Sequence, residues 1–352
     1  MAPPIVAIVS FRLGGGDGVS VEATKWGVAL EQLGFALRTV AGEGPVDRVV
    51  PGLAMAAPDP PSAGELEAAL DDADLVVVEN LCSLPLNEAA ARAVSAVLRG
   101  RPAVLHHHDL PWQRPQYAHH PPPPDDGAWL HVTINNLSRD QLATFGIEAH
   151  VIRNTFDTDA APGARAATRA QLGLSPSTLL CLQPTRAIPR KNVPGAIALA
   201  EALGATYWLL GPAEDGYGPE LARLLGAASV PVIHGTGAGA GTGETLSMAD
   251  AYAASDLVVL SSTWEGFGNP ALESAVHRRP LAIGPYPVAA ELAAFGFRWF
   301  GLEETAALAA YLEHPEGVLL DHNHAVARRH FSGAQLPGRI ERLLDRAGWA
   351  LP

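Results

Sequence analysis

Two glutamates separated by seven residues stand out for the chemistry that they could share. Glu265 and Glu273 flank a loop with two glycines, and a short apolar run at residues 256–260 precedes that loop. The apolar run has the length of a buried strand, and the residues after the loop have helical composition. Asn269 suits the N-cap of this helix and Pro270 its first position. The stretch therefore predicts a strand, a loop and a helix N-terminus that would attract an anion.

Carboxylates beside an anion site are unfavourable unless they bind another group. The vicinal hydroxyls of a sugar could donate hydrogen bonds to Glu265 and Glu273. An ordinary strand-to-helix turn with a capped helix would explain the same pattern without any ligand, so both interpretations stay open on these residues alone.

A basic loop follows the apolar run at residues 178–182. It contains Arg186, Arg190 and Lys191, and Asn192 then suits the N-cap of a helix that extends to Leu203. A basic cluster on a loop is commonly only solvated. Fixed cations at this position could instead stabilise the charge of a departing phosphate group.

Three consecutive histidines, His106 to His108, end another predicted strand and are followed by Asp109. In an open parallel sheet, ligands bind at the carboxyl ends of the strands. Adjacent residues of a strand point to opposite faces, which makes the run a poor set of metal ligands. A structural loop, a metal site and a histidine in a sugar pocket are the three interpretations.

The composition limits the classes of function. The chain has 352 residues, of which 48% are apolar, enough for two domains with packed cores. Its net charge of −13 argues against nucleic acid as a partner, and leaves only a local basic patch for peripheral contact with a membrane. Cys82 and Cys181 are too few for a disulfide framework, which indicates the cytoplasm. No secretory signal or transmembrane run is visible, and the Ala, Gly and Pro content suggests a bacterial protein.

Alternating strand and helix patterns extend along the whole chain. The first strand, at residues 5–10, is followed by a glycine loop with Gly15, Gly16 and Asp17, and then by a helix that Gly34 ends. The same alternation predicts parallel, doubly wound sheets. Further strands are predicted near residues 35–40, 75–79, 103–105, 129–134, 206–210, 230–235 and 281–284, and helices near 64–70, 86–98, 248–254 and 334–347.

The residues around the two glutamates resemble the Glu-x7-Glu signature of glycosyltransferase family 4, whose members are retaining enzymes of GT-B fold. The specific part is Glu-Gly-Phe-Gly-x-Pro-x-x-Glu-Ser, from Glu265 to Ser274. The resemblance implies an α/β protein with two Rossmann-like domains that face each other across a cleft. It places an acceptor-side domain at residues 1–155 and a donor-side domain at 156–332. It also implies that the C-terminal helix at 333–352 crosses back to the first domain.

The resemblance also implies roles for single residues. Glu265 and the loop amides would contact the donor sugar, Glu273 the nucleotide ribose, and Arg186 and Lys191 the diphosphate. His108 would lie beside the sugar, so the catalytic set is His108, Glu265, Arg186 and Lys191. Asp17 and Asp109 are assigned to the acceptor. The full set of donor contacts is Gly15, Gly16, Arg186, Lys191, Gly266, Phe267, Gly268, Asn269, Ala271, Leu272 and Glu273.

The implied reaction moves a hexose from a UDP- or GDP-linked sugar to a hydroxyl acceptor, with no cofactor and no metal. The glycine-rich residues 236–243 correspond to the loop near the nucleotide base. Asp-x-Asp patterns, which hold a metal in other glycosyltransferases, occur at residues 72–74 and 157–159, both at predicted turns away from strand C-termini. A sugar nucleotide 2-epimerase and a non-catalytic sugar-binding protein are the rival functions. The acceptor stays undefined, and either a monomer or a homodimer is expected.

Overall fold

The computed structural model describes residues 2–235 and 246–349 of the chain. It divides into two compact units, one made of Met1–Thr155 with Gly333–Pro352 and the other of Phe156–Ser332. Each unit contains one parallel sheet with helices, as the alternation of apolar strands and helices predicts. The predicted glycine-rich loop at residues 236–243 lies outside the described residues.

The sheet of the first unit has seven parallel strands in the order β3-β2-β1-β4-β5-β6-β7. They are β1 Ile5–Arg12, β2 Ala36–Glu43, β3 Arg48–Val49, β4 Leu75–Glu79, β5 Ala103–His107, β6 Trp129–Thr133 and β7 Ala149–Val151. The order reverses between β1 and β4, and in doubly wound sheets ligands bind at the carboxyl ends of the strands beside such a reversal. Glu79 and His107 are the last residues of β4 and β5, so both lie at that edge of the sheet.

Helices cover both faces of this sheet. They are α1 Gly18–Gln32, α2 Ala63–Leu70, α3 Glu88–Leu98 and α4 Asn136–Ala143. Val78 and Leu105 belong to the apolar core under α2 and α3, whereas Val77 and Val104 belong to the core under α1. Successive residues of β4 and β5 therefore point to opposite faces, which decides to which face each histidine after Leu105 projects.

The second unit repeats this arrangement with six parallel strands in the order β10-β9-β8-β11-β12-β13. They are β8 Leu180–Gln183, β9 Thr206–Leu209, β10 Val232–His234, β11 Leu257–Leu260, β12 Leu281–Ile283 and β13 Phe300–Gly301. Its helices are α5 Arg165–Gln171, α6 Val193–Leu203, α7 Gly218–Ala227, α8 Met248–Ala254, α9 Asn269–Val276, α10 Pro287–Ala293, α11 Thr305–Glu313 and α12 Gly317–Phe331. Here the order reverses between β8 and β11, so the loops after these two strands are adjacent.

The last helix, α13 at Leu336–Arg346, packs on the first unit. Ile340 and Leu343 belong to the same core as Ile8 and Leu30 of β1 and α1. The last segment of the chain thus completes the first sheet's cover of helices. Short 3₁₀ turns occur at Pro51–Leu53, Pro111–Gln113, Pro115–Tyr117, Pro189–Lys191 and Gly333–Gln335.

The two Asp-x-Asp patterns have structural contacts. Asp72 accepts hydrogen bonds from Arg48 at 2.8 and 2.9 Å, and Asp74 accepts one from the Ile5 N–H at 2.8 Å. Asp157 accepts the N–H of Asp159 at 3.1 Å. In each pattern at least one carboxylate thus accepts a hydrogen bond from a neighbouring loop or strand end, as expected for turns.

Candidate active site

The loop after β11 leads into α9 through Gly268. This glycine, with φ of 95° and ψ of 54°, is the N-cap, and Asn269 is the first helical residue. The predicted cap at Asn269 is therefore wrong by one position, because the left-handed turn that starts the helix falls on Gly268. A side chain there would also meet the Tyr286 hydroxyl, which approaches an added Cβ to 2.0 Å. Only glycine fits both constraints.

Glu265 lies at the start of this loop, buried to 6% exposure. Its Oε1 accepts from Lys191 Nζ at 2.5 Å and from the Ser262 hydroxyl at 2.5 Å, and its Oε2 accepts from Arg190 at 3.1 Å. Burial alone raises the pKa of Glu265, but the two cations outweigh this and hold it below its usual value. Glu265 is therefore an ionised, buried carboxylate that fixes two cations in the loop after β8.

The basic loop distributes its charges differently from the prediction. The prediction assigns Arg186 and Lys191 to a diphosphate, and the two cations that contact Glu265 are Lys191 and Arg190. Arg186 is paired with Glu214 at 2.5 Å, and both side chains are more than a third exposed. The 3₁₀ turn at Pro189–Lys191 accounts for this, because it directs two consecutive basic residues toward the loop after β11.

Asn192 is the N-cap of α6, as predicted, and its Oδ1 accepts the Gly195 N–H at 3.2 Å. The same side chain donates to the Ser261 carbonyl at 3.2 Å, and the Ser261 hydroxyl donates to the Lys191 carbonyl at 2.9 Å. These bonds join the loops after β8 and β11, so the lysine and the glutamate are held in position by both main chains.

Glu273 lies in α9, and the Tyr252 hydroxyl of α8 donates to its Oε2 at 2.5 Å. Burial, followed by the charge of Glu273, raises the pKa of Tyr252 well above its usual value, so the phenol keeps its proton. The side chains of Phe267, Ala271 and Leu272 are buried in the protein. Any contact of Ala271 or Leu272 with a ligand would use the main chain, and the Ala271 N–H already donates to the Gly268 carbonyl at 2.9 Å.

The glycine loop of the first unit connects β1 to α1. Gly15 and Gly16 are exposed, and an added Cβ on Gly16 would meet no neighbour within 4 Å. Asp17 is the N-cap of α1, since its side chain accepts the Ser20 N–H at 3.2 Å, and it pairs with Arg12 at 3.2 Å. Asp17 therefore has a structural role in starting α1, and its assignment to an acceptor stays a prediction.

The three histidines separate onto the two faces of the first sheet, as the strand geometry predicts. His106 and His108 point toward α1, where the ring of Trp26 lies 4.5 Å from that of His106. Both donate to Glu79 of β4: His106 Nδ1 to Oε1 at 3.1 Å, with Oε2 at 2.9 Å, and His108 Nε2 to Oε2 at 2.7 Å. Asp109 instead pairs with Arg114 at 2.9 Å.

His107 points to the other face and belongs to a separate chain of hydrogen bonds. The distances are 2.6 Å from Ser83 Oγ to His107 Nδ1, 2.9 Å from His107 Nε2 to His131 Nδ1, and 3.1 Å from His131 Nε2 to Asp125 Oδ1. The Asp125 carboxylate can only accept, so donation runs from the Ser83 hydroxyl to His107, from His107 to His131, and from His131 to Asp125, with both imidazoles neutral. We call these four residues the histidine relay.

No protein-family model matches the chain. Two curated relatives cover most of it, and both are named mannosylglucosylglycerate synthase. The protein of Thermotoga maritima is 25% identical over an alignment of 430 residues, gaps included, that covers 97% of this chain and 98% of the relative. That of Petrotoga mobilis is 24% identical over an alignment of 395 residues that covers 89% of this chain and 88% of the relative.

Solved structures of glycosyltransferases share the architecture over nearly their full lengths. Anabaena HepE in complex with UDP-glucose has a TM-score of 0.68 at 18% identity, with 97% of this chain and 100% of that one covered. Sucrose-phosphate synthase of Thermosynechococcus elongatus has a TM-score of 0.72 at 13% identity, covering 97% and 98%. The chain has the GT-B fold. The predicted fold class is thereby confirmed, and the relatives agree with the predicted class of enzyme.

Glu79 is absent from the site residues that the sequence of this GT-B protein predicts. Its carboxylate and the two histidines place three potential metal-ligand atoms within 4.8 Å of one another. Adjacent histidines of a strand are poor joint ligands, but this set combines two alternate histidines with an acid from the neighbouring strand. In the structure both histidines hydrogen-bond directly to Glu79. The available signal was an acidic residue at the carboxyl end of an otherwise apolar strand, Leu75–Glu79.

The histidine relay predicts a pH-dependent stability. Burial, followed for His107 by the neighbouring ring charge, lowers the pKa of His107 and His131, so the unfolded chain binds protons that the folded GT-B protein does not. Their contribution to stability is present above pH 6.5, the usual histidine value, and is lost as the pH falls below it. Each such histidine adds a slope of about 1.4 kcal/mol per pH unit.

We therefore expect His107→Gln to show a slope of unfolding free energy between pH 6 and pH 5 that is smaller than the wild-type slope by about 1.4 kcal/mol per unit. Urea unfolding at several pH values measures it. His119→Gln, at an exposed position, serves as the control and should keep the wild-type slope. Parallel curves for wild type and His107→Gln would contradict the lowered pKa.

Proposed function

We propose that this protein is a retaining glycosyltransferase that moves a hexose from a UDP- or GDP-linked sugar to a hydroxyl acceptor. The observation that carries the proposal is the buried cluster of Glu265 with Lys191 and Arg190, next to the glycine-capped start of α9. Fixed cations and a helix N-terminus are what a departing diphosphate requires. The names of the two curated relatives and of the solved neighbours support the same class of reaction.

In the proposed reaction, the bond from the anomeric carbon to the diphosphate oxygen breaks, and a bond from that carbon to the acceptor oxygen forms on the same face of the sugar. The acceptor hydroxyl proton passes to the departing diphosphate, so the charges balance. Lys191 and Arg190 stabilise the negative charge that develops on the leaving group. Arg186 can join them by exchanging Glu214 for a phosphate, since a half-exposed ion pair contributes little.

The test combines binding and turnover. Melting temperatures are measured with UDP-glucose, UDP, GDP-mannose and GDP, because a ligand at 100 times its Kd adds about 2.7 kcal/mol to stability. The donor that binds is then incubated with an acceptor panel that includes glucosylglycerate, and proton NMR of the anomeric signal reports the configuration of the product. A product of inverted configuration would contradict retention.

Two rival functions give different results in the same assays. A 2-epimerase would convert the donor to its epimer in the absence of any acceptor. A non-catalytic protein would bind the donor without product. We propose transfer without a divalent cation, because Lys191 and Arg190 supply the positive charge. Activity that a chelator abolishes and a divalent ion restores would overturn this part.

No helix in the two described ranges has both the length and the apolar character to cross a bilayer. Cys82 and Cys181 are unpaired and buried. We propose on the basis of these thiols that the protein works in the reducing cytoplasm.

Glu273 is proposed to bind the nucleotide ribose. A ribose contact is made equally in the ground state and in the transition state, so Glu273→Gln should raise the KM for the donor more than it lowers kcat. Loss of a charge-assisted hydrogen bond costs about 1.5–3 kcal/mol, which is roughly 10- to 100-fold in affinity. Calorimetry with the free nucleoside diphosphate measures the same loss directly.

Tyr252→Phe is the matched variant, because it removes only the hydrogen bond that orients Glu273. It should weaken nucleotide binding less than Glu273→Gln does. Unchanged binding in Glu273→Gln would exclude the ribose role.

A further inference from the structure

We propose that Glu79 is a positioning residue that holds His108 with a proton on Nε2 and leaves Nδ1 for the substrate. The inference rests on the proposed function, in which His108 lies beside the transferred sugar. The position of the proton on the His108 ring can be measured in the ligand-free protein, without turnover.

Glu79 is a carboxylate with 0% exposure at the carboxyl end of β4. A buried carboxylate is stable only where hydrogen bonds and opposite charge compensate for lost water. Its Oε2 is within 2.9 Å of His106 Nδ1 and 2.7 Å of His108 Nε2. An ionised carboxylate only accepts, so both of these nitrogens must donate a proton to it.

The proton on His106 is thereby fixed on Nδ1. Its Nε2 is buried and has no hydrogen-bond partner in the described parts of the chain. A bare nitrogen is better tolerated there than an N–H group, because an unpaired buried donor loses its full hydration. His106 is accordingly neutral, and burial lowers its pKa.

His108 has the opposite electrostatic preference. Burial lowers its pKa, but the hydrogen bond and charge of Glu79 outweigh burial and raise it, with smaller effects from Glu22 and Asp109. Glu22 of α1 binds Lys25, and Asp109 binds Arg114, so both carboxylates are already compensated. These groups from α1, β4 and the loop after β5 surround His108 and His106.

Asn80 fixes the main chain of the same histidine. It has φ of 58°, and its Oδ1 accepts the N–H groups of His108 at 3.1 Å and Asp109 at 3.2 Å. Its own N–H donates to the His106 carbonyl at 2.9 Å. Two consecutive residues at the end of β4 therefore control His108, Asn80 through the backbone and Glu79 through the ring.

The remaining ring nitrogen is available. Within residues 2–235 and 246–349, His108 Nδ1 makes no hydrogen bond. The atom is not fully buried, so it is open to a partner from outside the protein. Nδ1 is thus the atom of this ring that can meet a sugar hydroxyl. With Nε2 held by Glu79, the protonation state of Nδ1 alone decides whether His108 accepts or donates there.

The experiment measures ring ¹⁵N shifts of the ligand-free protein, with histidines assigned by single His→Gln variants. Wild type should show His106 as the neutral Nδ1–H form and His108 with a proton on Nε2 throughout pH 6–8. In Glu79→Gln the His108 signals should move toward mixed tautomers, and its titration should shift to lower pH. Asp125→Asn is the control, because it acts on His131 and should leave His108 unchanged.

Kinetics add a second measure. Glu79→Gln should lower kcat about 10- to 100-fold, the range seen for residues that orient a functional histidine. The KM for the donor should change less, and the acidic limb of the pH–rate profile should move to lower pH. If the spectra follow this expectation but no donor is turned over, the tautomer assignment stands and the proposed function falls.

Either of two results would overturn the assignment. The first is a wild-type spectrum in which His108 Nε2 carries no proton, which decides the matter even where Glu79→Gln does not fold. The second is stoichiometric zinc binding to the ligand-free protein that is lost in Glu79→Gln, since the three side chains would then be metal ligands.

Discussion

Glu265→Gln is expected to lower kcat on the order of 100-fold while binding of the free nucleoside diphosphate changes little. Glutamine keeps the size of the side chain but removes the negative charge that faces Lys191 and Arg190. Under the proposed function, positive charge develops on the sugar ring in the transition state, and a neighbouring carboxylate stabilises it only then. The loss should therefore appear in kcat.

Steady-state kinetics beside calorimetry with the nucleoside diphosphate separate the two effects. Glu220→Gln is the matched control in the same unit, because its partner Arg223 and the acid itself are both exposed. Lost nucleotide binding with normal kcat in Glu265→Gln would reverse the roles proposed for the two glutamates.

Lys191→Ala should weaken both the fold and the binding of the donor. Lys191 is 7% exposed and bonds to a carboxylate that is equally buried. Removal of one partner of such a pair typically costs about 3–5 kcal/mol, and Arg190, which still contacts Glu265, favours the lower end of that range. Donor affinity should fall by roughly 10- to 100-fold, because a charge-assisted contact to the diphosphate is lost.

Urea unfolding and calorimetry measure these two losses. Arg223→Ala removes only an exposed pair and should leave the free energy of unfolding close to the wild-type value. The double variant Lys191→Met with Glu265→Leu should recover much of the stability, since apolar side chains can replace a buried pair, but it should remain inactive. An active double variant would show that the pair serves only the fold.

The sequence predicts most strands of the two sheets because these are largely apolar runs of three to eight residues. It missed β3, β7 and β13, which have two or three residues, are too short to carry a pattern and form through pairing with β2, β6 and β12. It also missed α4, α5, α7 and α10. These helices have seven to ten residues, and their packing determines them more than local signals do.

For the candidate site, residue types are predictable and partnerships are not. The resemblance singles out Glu265, Arg186 and Lys191, but the contact of Arg190 rather than Arg186 with the glutamate depends on a single 3₁₀ turn. The partnership of Glu79 with two histidines requires the register of β4 and β5, where Glu79 lies beside His106. The pairing of β4 with β5 is a contact between distant parts of the chain, so the spacing of residues along either strand does not predict it.

His106, His107 and His108 alternate between the two faces of the first sheet. They therefore link the Glu79 contacts on one face to the histidine relay on the other, although the two groups share no side chain. A shift of this strand by one residue would exchange the faces, taking His107 from Ser83 and His131 and taking the other two from Glu79. The histidine relay on one face therefore helps to fix the strand register that places His108 beside Glu79 on the other face. Insertions or deletions in β5 should therefore be tolerated worse than substitutions, because they change which histidines face Glu79 and which face Ser83 and His131.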